Sequence, residues 1–62
     1  MNEISRLMKL TDELFDAFYV AETLAADDVE FAKYVRAIIK SVKKEDRDLA
    51  YLALITFIKT SK

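Results

Sequence analysis

The sequence of 62 residues contains no cysteine, no histidine, no glycine and no proline. Without cysteine, disulfides cannot hold the fold together, and without histidine a structural zinc site loses its usual ligands. The common proton shuttle and the thiol nucleophile of enzymes are missing as well. Because phosphate-binding loops and dinucleotide-binding fingerprints both need glycine, the chain carries neither of these motifs.

The lack of glycine and proline also bears on the fold class. A sheet protein of this size needs several tight turns, and those turns favour glycine, asparagine or proline. An all-helical chain can connect its elements without them, and no internal repeat is visible. The sequence therefore predicts one all-α domain over residues 1–62, a small bundle of two or three helices.

The hydrophobic content is high for so short a chain. A domain of this length hides only about 60% of the surface that its unfolded chain exposes. Yet 53% of the residues are hydrophobic. Small domains without a disulfide or a metal depend on very good helix packing or on association. We therefore expect the bundle to be completed by homodimerisation.

Two helices can be placed from their caps and their apolar spacing. The first is predicted over residues 3–25, with Asn2 as its N-cap. The second is predicted over residues 28–43, because Asp27 and Glu30 have the spacing of a capping box. Apolar residues recurring every three or four positions give the predicted core. From the two helices these residues are Ile4, Leu7, Leu14, Phe15 and Phe18, packed on Phe31, Val35, Ile38 and Val42.

A third helix is predicted over residues 45–60. No helix breaker precedes it, so a long two-helix hairpin is the alternative; the acidic residues near its start favour a break. Residues 49–58 read LAYLALITFI, in which only Thr56 is not apolar. A run this short also resembles a buried strand, but a lone strand has no sheet partner in this chain.

A helix that is apolar on all sides is normally buried on all sides. Two short helices cannot cover the third one completely, so we expect part of it to lie in an interface with a second copy or with another protein. The predicted interface residues are Tyr51, Leu54, Ile55, Phe57 and Ile58. Tyr51 and Phe57 are the expected aromatic anchors.

Charge is divided unevenly along the chain. Residues 1–30 hold eight acids and two bases (−6), and residues 31–62 hold eight bases and three acids (+5), which together give the net charge of −1. The simplest interpretation pairs an acidic first helix with a basic second helix. The other is a nucleic-acid surface on the basic face of the second helix. Its candidate residues are Lys33, Arg36, Lys40, Lys43, Lys44 and Arg47.

Catalytic and metal sites receive little support. Asp12 with Asp16, and the group Asp27, Asp28 and Glu30, are expected to be solvated and therefore not tuned for acid–base catalysis. The group Asp27, Asp28 and Glu30 could bind magnesium only weakly. We therefore predict a protein that is not an enzyme and has no cofactor and no metal.

A membrane location receives no more support. The apolar run is about half the length of a membrane span, and the aromatic residues of the second helix are needed for the core rather than for a membrane surface. The expected location is the cytoplasm.

In size and helix pattern the chain resembles small dimeric helical-hairpin regulators and small helical accessory proteins of phages and plasmids. A shared architecture does not by itself imply a shared function. The sequence predicts a regulatory or adaptor protein that acts by protein–protein interaction, as a homodimer and on a protein partner that the sequence does not identify. A nucleic-acid-binding regulator is the alternative.

Overall fold

The computed structural model describes residues 3–60, and these form three α-helices and no strand. Helix α1 spans Glu3–Leu24, α2 spans Asp28–Ser41 and α3 spans Arg47–Thr60, with a single 3₁₀ turn at Lys44–Asp46 directly before α3. The all-α prediction with three helices is confirmed, and the long hairpin and the buried strand are wrong. The predicted cap at Asn2 lies outside the described residues.

Both connections are made without glycine. Asp27 is extended (φ −157°, ψ 179°), and its carboxylate accepts a hydrogen bond of 2.9 Å from the backbone N–H of Glu30, as the capping-box spacing predicts. The second connection uses Val42 and Lys43, whose ψ values of 146° and 145° are also extended. No residue between 3 and 60 has a positive φ, so these turns are open to side chains of any type.

The core lies where all three helices meet. Its buried members are Leu14 and Phe18 of α1, Val35 and Ile39 of α2, and Ala50, Ala53 and Phe57 of α3. The Phe57 ring lies 6.2 Å from the Phe15 ring and 5.8 Å from the Phe18 ring, between centroids. Ala50 and Ala53 have small side chains that let α3 approach closely. Helix α3 packs extensively on α1 and only sparsely on α2.

The predicted core is correct at its centre and wrong at one end. Leu14, Phe18 and Val35 are buried, and the other members from Phe15 to Val42 are partly buried against them. Ile4 and Leu7, however, are 67% and 36% exposed. The reason is length: α1 has 22 residues and α2 has 14, which is about 33 Å against about 21 Å. The first turns of α1 therefore extend past the end of α2.

Helix α3 is covered by its own chain on one side. Ala50, Ala53 and Phe57 face the core, whereas large apolar residues on the remaining circumference stay 46–60% exposed. These exposed residues are Tyr51, Leu52, Ile55 and Ile58. That a second copy covers these residues stays a prediction.

Phe18 is the side chain on which we expect the bundle to depend most, since it is 0% exposed. We expect Phe18→Ala to lower the free energy of unfolding by about 3–5 kcal/mol, through lost burial and a residual cavity. The neighbouring Tyr19 is 68% exposed, and Tyr19→Ala should change stability by no more than about 0.5 kcal/mol. Urea denaturation followed by circular dichroism measures both, and equal losses would contradict the placement of Phe18 at the centre of the core.

Candidate docking surface

A groove of about 580 Å³ runs between α2 and α3, and no residue of α1 lines it. It exists because α2 and α3 touch only sparsely while both pack on α1. Its walls are mainly apolar. The apolar and aromatic residues of the walls are Phe31, Val35 and Ile39 from α2 and Tyr51, Leu54 and Ile58 from α3. We call this surface the α2–α3 groove.

Three cations and no carboxylate line the same groove. Arg36 and Lys40 lie one turn apart on α2, and Arg47 is the first residue of α3. The Nε atom of Arg47 is buried and has no hydrogen-bond partner among residues 3–60. A buried donor without an acceptor lowers the free energy of unfolding. The guanidinium of Arg47 therefore contributes less to the stability of the isolated chain than it would with an acceptor bound.

Ion pairs within the described residues do not link the acidic first helix to the basic second helix. Within residues 3–60 there are two ion pairs, Arg6 with Asp46 at 3.5 Å and Lys33 with Glu30 at 3.8 Å. The first joins a base of α1 to an acid of the 3₁₀ turn, and the second lies within α2. Helices α1 and α2 lie side by side, but within residues 3–60 no ion pair joins them, and neutralisation across a dimer stays a prediction. Neither of the two pairs involves a cation of the groove.

The predicted basic face is divided by the structure. Lys33, Arg36 and Lys40 are exposed along α2, but α2 ends at Ser41, two residues before the predicted end. Lys43 consequently lies in the turn and Lys44 opens the 3₁₀ turn. Arg36 and Lys40 are brought together with Arg47 at the groove, and the remaining members of the face are not.

The predicted apolar interface is divided as well. Tyr51, Leu54 and Ile58 line the α2–α3 groove. Ile55 is 50% exposed and points away from the core, next to Leu52 at 60%, which the sequence did not single out for an interface. Phe57 is only 8% exposed. It is therefore not available as an anchor on the monomer surface, because its ring is held against Phe15 and Phe18.

Sequence reasoning missed that the cations and the apolar residues form one surface. A signal was present, because Arg47, Tyr51, Leu54 and Ile58 follow the spacing of one helical stripe. That stripe begins with a cation and continues with apolar residues. Read with Arg36 and Lys40 across the turn, it would have indicated a surface that is both basic and apolar.

A second exposed apolar patch lies on the projecting start of α1. Ile4, Leu7 and Met8 line a shallow depression there with Thr11 and Asp12. Ile4 and Met8 are 67% and 64% exposed. We call it the α1 patch, and it follows directly from the difference in length between α1 and α2.

The carboxylates that the sequence singled out lie outside the α2–α3 groove. Asp12, Asp16 and Asp28 are exposed, and Asp27 is used as the cap of α2. In the part of the chain that the structure describes, no group of three or more acidic side chains is placed to hold a metal ion. No helix in residues 3–60 has both the length and the apolar character needed to cross a membrane.

Comparison of the chain with known protein families, with curated proteins and with solved structures gave no match.

Arg47 allows a direct test of whether the groove serves the fold. We expect Arg47→Met, which keeps an apolar stem and removes the guanidinium, to leave the free energy of unfolding unchanged or to raise it by about 1 kcal/mol, because a buried donor without an acceptor is lost. The contrasting variant is Arg6→Met, which breaks an exposed ion pair and should cost between about 0 and 1 kcal/mol. Urea titrations measure both. A loss above about 1 kcal/mol in Arg47→Met would show that the guanidinium stabilises the isolated chain.

Proposed function

We propose that this protein is a small regulatory or adaptor protein of the cytoplasm, without enzymatic activity, that acts by binding other proteins and works as a homodimer. The observation that carries the proposal is the α2–α3 groove, an apolar channel left open by the chain's own packing. Chains of this size rarely leave such surfaces uncovered without a use for them.

The groove has the form that helical ligands use. In helix-in-groove recognition an amphipathic helix places its apolar face between two helices of the receptor. Here two walls of 14 residues each, about 21 Å long, offer apolar side chains over several turns. Tyr51 is 54% exposed at the groove, and a tyrosine in such a place is a typical source of binding energy.

Self-association is proposed for a different part of α3. Leu52 and Ile55 lie outside the groove and are at least half exposed. A second copy related by a two-fold axis would cover these residues with the same residues of its own, which is the commonest form of homodimer. Pairing groove to groove would instead bring Arg36, Lys40 and Arg47 of both copies together, and like charges oppose that arrangement.

Ile55→Asp tests the proposed dimer. Because Ile55 is half exposed and lies outside the core cluster, the variant should keep its helical circular dichroism. We expect dimer dissociation to become at least about tenfold easier, since an interface carboxylate without a partner costs more than about 1.4 kcal/mol.

Analytical ultracentrifugation over the micromolar range measures this change. Thr23→Asp adds the same charge at an exposed position of α1 and serves as the control. Unchanged association of Ile55→Asp would remove residue 55 from the interface, and a monomeric wild type would remove the dimer itself.

Nucleic-acid binding is the second candidate, and one observation favours it. Arg36, Lys40 and Arg47 converge on one surface without carboxylates, as a phosphate-binding surface requires. Against this, the chain as a whole carries a net charge of −1, whereas nucleic-acid modules are usually strongly basic. The groove walls are also apolar, which suits a protein ligand better than a phosphate backbone.

A gel-shift experiment separates the two candidates. Electrostatic affinity is greatest at low salt, so we expect no retardation of duplex DNA or RNA even at about 50 mM salt. Retardation that disappears in the double variant Arg36→Gln and Arg47→Gln, but persists in Lys9→Gln and Lys59→Gln, would instead establish the nucleic-acid function. Both pairs remove two positive charges, so a general loss of charge cannot explain a difference between them.

A further inference from the structure

We infer that the α2–α3 groove binds one amphipathic helix of a partner protein whose apolar stripe is flanked by aspartate or glutamate. This inference rests on the proposed function and names the chemistry of the ligand. It goes further in requiring that the partner be acidic.

The shape of the groove selects a single helix. Helices α2 and α3 both pack on α1 and touch each other only sparsely, so the groove between them is open to a fourth helix of a bundle. Ala32 on the α2 side has a small side chain, which lets a ligand backbone come close. The side chains that would contact an apolar stripe are already arranged on both walls.

The charges of the groove select an acidic ligand. The charged residues that line the groove are all cations: Arg36, Lys40 and Arg47. Carboxylates line only the neighbouring depression beyond Phe31 and Ile58, at the end far from these cations. None of them belongs to either ion pair within residues 3–60. A carboxylate that enters the groove would accept hydrogen bonds from a guanidinium that already has one donor without an acceptor. A basic ligand would meet three like charges.

The cations are also placed unevenly along the groove. Lys40 is next to the end of α2 and Arg47 is the start of α3, so both lie at the turn that joins the two helices. Phe31 and Ile58 lie towards the opposite end, in the first turn of α2 and the last turn of α3. The ligand should therefore be acidic near the turn and apolar at the far end.

A second copy of the chain does not fit this description. Its own groove would add three more cations. Its α1 patch includes Asp12, and the same turns carry Glu3, Arg6 and Lys9, so acids and bases are balanced there and the patch offers no excess of negative charge. Moreover, α1 contributes nothing to the groove of its own chain, and a contact between two different surfaces tends to form open chains of molecules rather than a closed dimer. The charges therefore favour a different, acidic protein.

Two designed peptides test the inference on the full-length protein. Each has about 18 residues, long enough to form helix when bound, and the same leucine stripe on an alanine background; one carries glutamate beside the stripe and the other carries lysine. We expect fluorescence anisotropy to show the glutamate peptide binding at least about tenfold more tightly at about 50 mM salt. This preference should shrink at about 500 mM salt, where exposed charges are screened.

Matched double variants locate the effect. Arg36→Gln with Arg47→Gln should abolish the preference for the glutamate peptide, whereas Lys33→Gln with Lys59→Gln should retain it. Amide chemical-shift changes on adding the glutamate peptide should fall on Ala32, Leu54 and Ile58. Shifts confined to the α1 patch would overturn the inference.

Three other results would contradict the inference in whole or in part. Equal binding of both peptides would overturn the requirement for acid while leaving protein docking in the groove in place. Binding of neither peptide would overturn the inference, and the proposed dimer would still be judged by ultracentrifugation of Ile55→Asp. Displacement of the glutamate peptide by duplex DNA at low salt would assign the groove to nucleic acid.

Discussion

Helix α3 turns two small residues, Ala50 and Ala53, into the core, and Phe57 packs its ring against Phe15 and Phe18 of α1. Close approach between two helices needs small side chains at the contact, because larger ones would hold the backbones apart. With the small residues and one phenylalanine turned inward, the larger apolar residues of α3 are left on its other sides. Helix α3 packs extensively on α1 and only sparsely on α2, and this leaves the groove between α2 and α3 open.

The molecule thus keeps a modest core and a surface rich in apolar groups. Eight hydrophobic residues within 3–60 are buried, and no charged or polar residue is. A small domain has little stability to spare. Anything that binds only the folded form adds to its stability by mass action. A partner that covers the groove or the outward side of α3 would therefore also raise the stability of the folded chain. Binding and folding stability are coupled in this protein for that reason.

Each pattern in the sequence predicted only the feature of the structure that it encodes. The cap at Asp27 marks a helix start by local chemistry, so the boundary between α1 and α2 was predictable. Periodic spacing identifies which residues share a face, but not how far the neighbouring helix extends, and Ile4 and Leu7 were placed in the core for that reason. Because α3 is apolar on all sides, its residue spacing does not indicate which side faces the core. The spacing therefore could not show that Phe57 faces inward and Tyr51 outward. The groove is lined by residues of α2 and α3, which the turn at Val42 and Lys43 brings side by side. Its composition could therefore not be predicted from either segment alone.

The overhang of α1 has a consequence for how the protein opens. Its first turns have their own backbone hydrogen bonds, and the ion pair of Arg6 with Asp46 links them to the 3₁₀ turn. Helical segments this short are marginal in water without packing, and an exposed ion pair adds little. Fraying should therefore begin at Glu3 and proceed inward as far as Leu10, where α2 begins to provide cover. Such local melting would exchange the amide hydrogens of these turns early while the rest of the bundle remains closed.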